Sequence, residues 1–177
     1  MEITVKPMQK EDIDKVAEIE IAAYGEHHWS KDSFYEELSN KLAHYSCAIK
    51  PDGEIVGFSG IWHIIDEAHI TNIAVNPKFA GQKIGETLLK NMIDECYKSM
   101  IKYITLEVRE SNIPAIKLYE KYGFKSLGVR KNYYQDNNEN ALIMWTENIF
   151  WDKFKTMFNE NTEKLKEAIT QKWQQKE

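Results

Sequence analysis

Residues 69–86 read HITNIAVNPKFAGQKIGE, and the interpretation of the whole chain depends on this stretch. The first nine residues form a largely apolar, strand-like run that ends at Pro77, and the polar turn that follows carries Gly81 and Gly85. The pattern after this turn is typical of an amphipathic helix. The N–H groups and the dipole of a helix start favour negative charge, and glycine lets a ligand come close to the backbone. The stretch therefore predicts a phosphate-binding strand, turn and helix.

A second strand, turn and helix follow at residues 103–124, YITLEVRESNIPAIKLYEKYGF. The aliphatic side chains of the strand share one face, so Glu107 leaves the strand by the opposite face. A glutamate near the end of a central strand is costly to bury unless it has a purpose. Asn112 is suited to cap the next helix and Gly123 to end it. Tyr119 lies on the apolar face of this helix, where the pattern alone favours packing in the core.

Together the two units resemble the acyl-coenzyme A site of the GNAT (Gcn5-related) N-acetyltransferases. Within that family they are most similar to the RimI branch, the ribosomal-protein alanine N-acetyltransferases. The residues that carry the resemblance are NIAVNP at 72–77, GQKIGETLL at 81–89, LEVRESNIPAIKLYEKYGF at 106–124 and RKNYY at 130–134. The resemblance implies an α/β GNAT domain over residues 1–148, with a mixed, mostly antiparallel central sheet flanked by helices. Residues 149–177 are expected to form an added helical C-terminal extension.

The resemblance implies acetyl-CoA as the co-substrate and no metal. Backbone groups freed by a β-bulge in the central strand are expected to pair with the pantetheine arm. The glycine turn is expected to hold the diphosphate, and Asn112 to contact the coenzyme near the pantetheine. The residues assigned to the coenzyme in this way are Ile73, Ala74, Val75, Gly81, Gln82, Lys83, Ile84, Gly85, Glu86 and Asn112.

The turn departs from the usual pattern of the family, which is Arg or Gln, two residues, Gly, one residue, and Gly or Ala. Ala80 stands at the arginine position, and Lys83 stands at the position of the first glycine. The charge of Lys83 suits a diphosphate, but its Cβ restricts the turn. The sequence therefore leaves open whether Lys83 strengthens or weakens coenzyme binding.

The resemblance also assigns Glu107 and Tyr119 as the catalytic residues. A peptide α-amine has a pKa near ~8, so Glu107 has a modest task as a general base, directly or through a water. A thiol of pKa roughly 8.5 leaves more readily when Tyr119 donates a proton to it. Neither Cys47 nor Cys96 matches an acyl-carrying position of the family. We therefore expect direct transfer in a ternary complex.

The acceptor site is less clearly marked. The residues that the resemblance places at or near it are Glu20, Trp29, Asp66, Glu67, Tyr133 and Tyr134. Glu20 interrupts the apolar face of the first helix, which fits either a solvated edge or a carboxylate turned toward the acceptor. One of the two tyrosines fits core packing equally well.

The preferred function is acetyl transfer to the α-amine of a protein N-terminus, of the ribosomal-protein alanine type. The same chemistry on a lysine side chain or a small amine such as a polyamine is an alternative, because the loop at 25–30 that decides this is hard to interpret. A coenzyme-binding or protein-binding module without turnover is another, suggested by Ala80 and Lys83. A structural partner that acts through the C-terminal helices is the third.

Composition narrows the class of protein further. The 177 residues include 23 basic and 28 acidic ones, the net charge is −5, and no block of Lys or Arg stands out. Direct nucleic-acid binding is therefore not expected. The sequence has no apolar signal segment and no run long enough to span a bilayer, so we expect a cytoplasmic protein. Cys47 and Cys96 are expected in the core, and no metal is expected at His27 and His28.

The C-terminal extension carries two apolar stripes. The residues of these stripes are Phe150, Phe154, Met157 and Phe158 in the first, and Leu165, Ile169 and Trp173 in the second. The segment NENT at 159–162 is predicted to separate two helices and to cap the second. The sequence leaves open whether this extension packs on its own domain, forms a homodimer through the C-terminal helices, binds another protein, or is a solvated, partly disordered end.

Overall fold

The computed structural model describes the backbone of residues 2–174 and the side chains of residues 2–171. The strands are β1 (Thr4–Pro7), β2 (Ala43–Ile49), β3 (Ile55–Ile64), β4 (Glu67–Val75), β5 (Tyr103–Arg109), β6 (Lys125–Tyr134) and β7 (Glu139–Trp145). The helices are α1 (Ile13–Tyr24), α2 (Lys31–Ser39), α3 (Ile84–Lys98), α4 (Ile113–Lys121) and α5 (Asp152–Gln174). Short 3-10 turns lie at Lys10–Asp12, Gly25–His27 and Pro77–Phe79.

Within the described residues the strands form one sheet in the order β1-β2-β3-β4-β5-β7-β6. Neighbouring strands are antiparallel except for β4 and β5, which are parallel. One apolar cluster joins α1 and α2 to β2 and β3, and another joins α3 and α5 to β5. The mixed sheet flanked by helices, with a helix at the C-terminal end, confirms the fold predicted from the sequence.

The central strand β4 contains the expected β-bulge. Gly60 of β3 pairs with Asn72, but the next residue, Ile61, pairs with Ile70, so Thr71 has no partner of its own in the register. A bulge bends a strand and frees backbone groups beside it. The bulge therefore lies just before the part of β4 that the sequence assigns to the coenzyme.

The sheet also splits in its middle, between β4 and β5. These strands pair only over Glu67–His69 and Tyr103–Thr105 among the described residues. Beyond that point β4 continues to Val75 beside β3, and β5 continues to Arg109 beside β7. The result is a cleft at the carboxyl ends of two parallel strands, where α3 and α4 begin.

Local capping explains where the helices around this cleft begin and end. The predicted cap of α4 is confirmed, because Asn112 Oδ1 accepts the N–H of Ala115 at 3.3 Å. Gly123 follows α4 with a φ of +82°, as expected for the glycine that ends a helix. The helix α2 begins in the same way as α4, with Ser30 Oγ accepting the N–H of Ser33 at 3.2 Å.

The two cysteines lie in the core, as predicted. Cys47 and Cys96 have no exposed surface and form no disulfide with each other. Burial raises the pKa of both thiols to about 12, because the low-dielectric core disfavours a thiolate. Neither thiol is therefore suited to carry an acyl group at neutral pH.

The prediction of two C-terminal helices is wrong, because residues 152–174 form the single helix α5. Asn161, in the segment expected to break it, is buried and donates its side-chain N–H to the Lys121 carbonyl at 2.7 Å. Asparagine costs only about 0.7 kcal/mol in a helix interior, and this bond offsets that cost. Phe154 and Phe158 pack into the core cluster, which confirms packing on the helix's own domain. The side chain of Trp173 lies outside the described residues.

In the part of the chain that the structure describes, no helix combines the length and the apolar character that a bilayer span requires.

Candidate active site

The split exposes one edge of β4, and a tyrosine from α1 reaches this edge. The Tyr24 hydroxyl donates a hydrogen bond to the Ile73 carbonyl oxygen at 2.7 Å. Ile73, Ala74 and Val75 all lie past the last residue of β4 that pairs with β5. An extended ligand can add to such an edge as another strand does. The structure thus places these three residues along the cleft, and their contact with the coenzyme stays a prediction.

The turn between β4 and α3 has left-handed backbone at two positions. Gly81 has a φ of +72°, and Lys83 has a φ of +67° although it is not glycine. This conformation costs an L-residue about 1 kcal/mol, so Lys83 takes up the shape that glycine would adopt freely. A Cβ added at Gly85 would lie 3.7 Å from Cγ2 of Val75, which is an ordinary contact. A side chain at this position would therefore meet no clash, and the first N–H groups of α3 that follow the turn fit a diphosphate.

The side chains at the start of α3 are not all available to a ligand. Ile84 and Glu86 are buried, so a ligand in front of the helix would meet their backbone N–H groups. Gln82 is partly exposed. Asn112 uses its side-chain oxygen to cap α4, which leaves its NH₂ group for the predicted coenzyme contact.

Glu86 is the centre of a charged cluster that joins α3 to α4. Its carboxylate accepts hydrogen bonds from the Lys83 ammonium at 3.0 Å, from the Tyr122 hydroxyl at 3.0 Å, and from the Lys121 ammonium. Burial by itself would raise the pKa of Glu86, but the two ammonium groups hold this pKa below its ordinary value. The carboxylate is therefore ionised at neutral pH and holds both lysines.

Glu107 stands in the cleft with a histidine partner that sequence reasoning did not assign to it. Its Oε2 lies 2.5 Å from Nε2 of His69, and its Oε1 lies 3.4 Å from the Arg130 guanidinium. The hydrogen bond with His69 lowers the pKa of Glu107, and the charge of Arg130 adds to this effect. The Glu107 side chain is 11% exposed, and its carboxylate is ionised, as a general base must be before it accepts a proton.

The strand register contains the signal for this pair. His69 lies opposite Thr105 on β5, and Glu107 is two residues further along the same strand. Residues that are diagonal neighbours on one face of a sheet can reach each other with long side chains. His69 is thus a residue of the strand surface that is hydrogen-bonded to Glu107.

Tyr119 lies on α4, the helix that follows β5. Its side chain is buried, and its ring packs against Phe124 with a centroid distance of 5.7 Å. Burial raises its pKa well above the ordinary value, and Tyr134 raises it further. Tyr134 also interacts electrostatically with Glu107, and the catalytic roles of Glu107 and Tyr119 stay a prediction.

On the acceptor side, Glu20 is not at a solvated edge, and that alternative is wrong. Its carboxylate is 1% exposed, accepting hydrogen bonds from the Trp29 backbone N–H at 3.1 Å and from Asn72 at 3.2 Å. Burial raises the pKa of Glu20. Glu20 therefore connects the loop at 25–30 to the bulged strand β4. In the same loop, the Trp29 ring lies 5.7 Å from the Phe34 ring.

Asp66 and Glu67 lie away from the proposed catalytic pair. Asp66 forms an ion pair with Lys102 at 3.2 Å, and its carbonyl accepts the N–H groups of Lys102 and Tyr103. Glu67 pairs with Tyr103, which is four residues before Glu107 on β5. This separation corresponds to about 13 Å along a strand. The structure does not bring the acidic pair to the cleft around Glu107, and its role in acceptor binding stays a prediction.

The end of β6 adds an aromatic wall near Glu107. The rings of Tyr133 and Tyr134 meet edge to face at 5.1 Å, and the Arg109 guanidinium lies 3.8 Å above the Tyr134 ring. Tyr133 is 46% exposed, and Tyr134 is partly exposed. The place of the two rings at the acceptor cleft stays a prediction.

The loops on either side of this wall are connected through Asp136. Asp136 binds the Arg109 guanidinium at 2.9 Å, and its Oδ2 lies 3.4 Å from Nε2 of His27. The Nδ1 atom of His28 contacts the Gly25 carbonyl at 2.8 Å. In the described part of the chain, no group of three or more His, Cys, Asp or Glu side chains is arranged to hold a metal ion.

A split sheet, a glycine turn before α3, the carboxylate of Glu107 and the phenol of Tyr119 fit what the sequence predicts for an acyl-coenzyme A-dependent transferase. The acetyltransferase (GNAT) family matches residues 13–124, and the chain belongs to this family. It is 49% identical over 142 residues to a Bacillus subtilis (strain 168) protein provisionally named as a ribosomal protein bS18 alanine N-acetyltransferase. That match covers 80% of this chain and 93% of the relative.

Two solved structures agree with this assignment. The crystal structure of the ribosomal-protein-S18-alanine N-acetyltransferase from Escherichia coli has a TM-score of 0.76 and 32% identity, covering 82% of this chain and 94% of that one. A GNAT acetyltransferase from Elizabethkingia anophelis with acetyl-CoA bound has a TM-score of 0.66 and 26% identity, covering 82% and 97%. The resemblance to the RimI branch is confirmed, whereas the domain boundary at residue 148 stays a prediction.

Proposed function

We propose that this protein transfers the acetyl group of acetyl-CoA to the α-amine at the N-terminus of a protein, by direct transfer in a ternary complex. The observation that carries the proposal is the ionised carboxylate of Glu107, which is hydrogen-bonded to His69 where β4 and β5 separate. The buried phenol of Tyr119 on α4 is the second group that supports it. The Escherichia coli protein is named as a ribosomal-protein-S18-alanine N-acetyltransferase, and the Bacillus subtilis protein is provisionally named in the same way. We propose an acceptor of this class.

The coenzyme would lie in the split between β4 and β5. The backbone of Ile73, Ala74 and Val75 would hold the pantetheine arm, and the turn at 81–86 would hold the diphosphate on the N–H groups of α3. Bound acetyl-CoA supplies an activated acetyl thioester. The chain's own residues then have two tasks: to remove a proton from the amine and to give one to the leaving thiol.

Glu107 is suited to the first task. An α-ammonium has a pKa near ~8, so part of the amine is already free at neutral pH, and a weak base is enough. The hydrogen bond with His69 keeps the Glu107 carboxylate ionised and oriented, which allows Oε1 to accept the proton. Backbone N–H groups along β4 can stabilise the negative charge that develops on the thioester oxygen.

Tyr119 is suited to the second task. Its buried phenol keeps its proton at every pH at which the protein works, because burial raises its pKa. The hydroxyl can therefore donate that proton to a sulfur that becomes negative as it leaves. Neither Cys47 nor Cys96 is part of this route, since both thiols lie in the core with a raised pKa.

The acceptor chain would enter between the loop at 25–30 and the wall of Tyr133 and Tyr134. Glu20 and Trp29 would shape the first side of this entrance, and the aromatic wall would shape the second. A ribosomal acceptor is made in the cytoplasm, which agrees with the localisation expected from the sequence. A homodimer through the C-terminal helix stays a prediction.

The test is thiol release from acetyl-CoA with a panel of acceptors. The panel contains a peptide with a free N-terminal alanine, the same peptide with a blocked N-terminus and an internal lysine, and a polyamine. We expect the free-alanine peptide to have the highest kcat/KM. A higher kcat/KM with the blocked peptide or the polyamine would contradict the proposed acceptor, and no turnover with any of them would favour a coenzyme-binding module.

Two variants and two matched controls assign the roles. Glu107→Gln and Tyr119→Phe are expected to lower kcat about 100-fold or more, the usual size of a lost general base or acid. The controls Glu18→Gln and Tyr35→Phe change exposed side chains outside the cleft, so they should leave kcat unchanged. Unchanged kcat in both cleft variants would show that the assigned roles are wrong.

A further inference from the structure

We propose that Lys121 is a phosphate-binding residue of the coenzyme site and acts together with Lys83. The inference rests on the proposed function, since it assigns a further ligand within the same site. The turn at residues 80–85 carries one basic residue, Lys83. A coenzyme with a diphosphate and a ribose phosphate brings several negative charges, and ammonium groups bind phosphate oxygens through charge-assisted hydrogen bonds. Lys121 supplies the second cation from the neighbouring helix α4.

Glu86, in the first turn of α3, binds the ammonium groups of both lysines. The Glu86 carboxylate is 5% exposed, whereas the side chains of Lys83 and Lys121 are 36% and 35% exposed. The charged ends of the lysines are thus within reach of a ligand at the surface, and the carboxylate is not. The two lysines and the one glutamate together carry a net positive charge at the start of α3, where the helix dipole is positive as well.

Two hydrogen bonds hold the backbone around Lys121, which keeps its ammonium group near Glu86 at the start of α3. Its carbonyl accepts the side-chain N–H of Asn161 from α5 at 2.7 Å. The hydroxyl of the next residue, Tyr122, donates to Glu86 at 3.0 Å. An ammonium group has three N–H donors, so Lys83 and Lys121 can each keep a hydrogen bond to Glu86 and donate another to a phosphate oxygen.

This arrangement also gives α5 a role in the coenzyme site. The helix packs under the end of α4 through Phe154 and Phe158, and Asn161 connects it to Lys121. Lys83 alone is a constrained ligand, because its backbone is left-handed and its ammonium is bound to Glu86. The site therefore combines a cation from the turn with one from α4 that α5 holds in place.

The experiment compares two ligands that differ in their phosphates. Coenzyme A is titrated by calorimetry, and pantetheine, which has no phosphate, is titrated by NMR because it binds more weakly. We expect Lys121→Met to weaken coenzyme A binding about tenfold, as for one lost charge-assisted bond, and to leave pantetheine binding unchanged. Lys121→Arg keeps the positive charge and should retain the affinity for coenzyme A within about twofold.

Lys98→Met is the matched control. It removes the same charge from the other end of α3, about 21 Å from the start of that helix, and should change neither affinity. Equal weakening of both ligands by Lys121→Met would indicate a structural role and overturn the inference, as would an unchanged affinity for coenzyme A. A wild-type protein that binds coenzyme A but acetylates no acceptor would contradict the proposed function and leave this inference standing.

Discussion

Replacing Gly123 by alanine measures how firmly α5 packs on its own domain. Gly123 has a φ of +82°, and an added Cβ would lie 2.9 Å from Met157 Cε and 3.1 Å from Phe154 Cε2. The backbone conformation alone costs an alanine about 1 kcal/mol. The Met157 methyl group can move aside, but the Phe154 ring is buried in the core, so we expect another 1–3 kcal/mol of about the size found for overpacked sites.

The matched control is Gly53→Ala. Gly53 has a φ of +89° and no atom within 4 Å of an added Cβ, so this variant has only the backbone cost. Urea denaturation at constant pH should show a loss of about 1 kcal/mol for Gly53→Ala and about 2–4 kcal/mol for Gly123→Ala. Equal losses in the two variants would refute the reasoning, because α5 would then not lie over Gly123 in solution.

Three further predictions concern titratable groups. His69→Phe should raise the pKa of Glu107, because the hydrogen bond with His69 is the largest influence that lowers it; the acid limb of the kcat/KM profile then moves to higher pH. Burial lowers the pKa of His63 from 6.5 to about 4, so the unfolded chain binds the proton more tightly. The contribution of His63 to the free energy of unfolding is therefore fully present above pH 6.5 and is lost toward pH 4, by about 1–2 kcal/mol after allowance for solvent screening. Denaturant unfolding measured between pH 7 and pH 4 should show a smaller change in the free energy of unfolding for His63→Gln than for the wild type. Cys47 and Cys96 should resist a thiol reagent in the folded protein and react in urea, because burial raises the pKa of both thiols to about 12.

Local signals predicted much of the fold and the position of the cleft. The run from 69 to 86 has the alternation, the proline and the glycines of a strand followed by a helix, and the structure places β4, the turn and α3 there. Asn112 and Gly123 predicted the ends of α4 because their side-chain and backbone preferences act over a few residues. Such preferences are readable in a sequence, since the residues that satisfy them are neighbours along the chain.

Contacts between distant segments were not predictable in the same way. The pair of His69 and Glu107 depends on the register of two parallel strands, which no local pattern fixes. The link between Glu86 and Lys121 depends on how α3 and α4 lie beside each other. Glu20 interrupts an apolar helix face, and only its tertiary partners decide between a solvated and a buried carboxylate.

The continuity of α5 shows the same limit in a single helix. The segment at 159–162 has the composition of a helix cap. Asn161 instead donates its side-chain N–H to the Lys121 carbonyl, and the helix continues past it. Tertiary bonds and apolar burial here exceed a local preference that is worth less than about 1 kcal/mol.

A crystal structure with coenzyme A bound is the most direct test of the proposed site. We expect the pantetheine arm along Ile73–Val75 in the split between β4 and β5, with the sulfur within about 4 Å of the Tyr119 hydroxyl and Glu107 on the acceptor side of that sulfur. Coenzyme A bound outside the split, or both side chains turned away from its sulfur, would show that the proposed site is wrong.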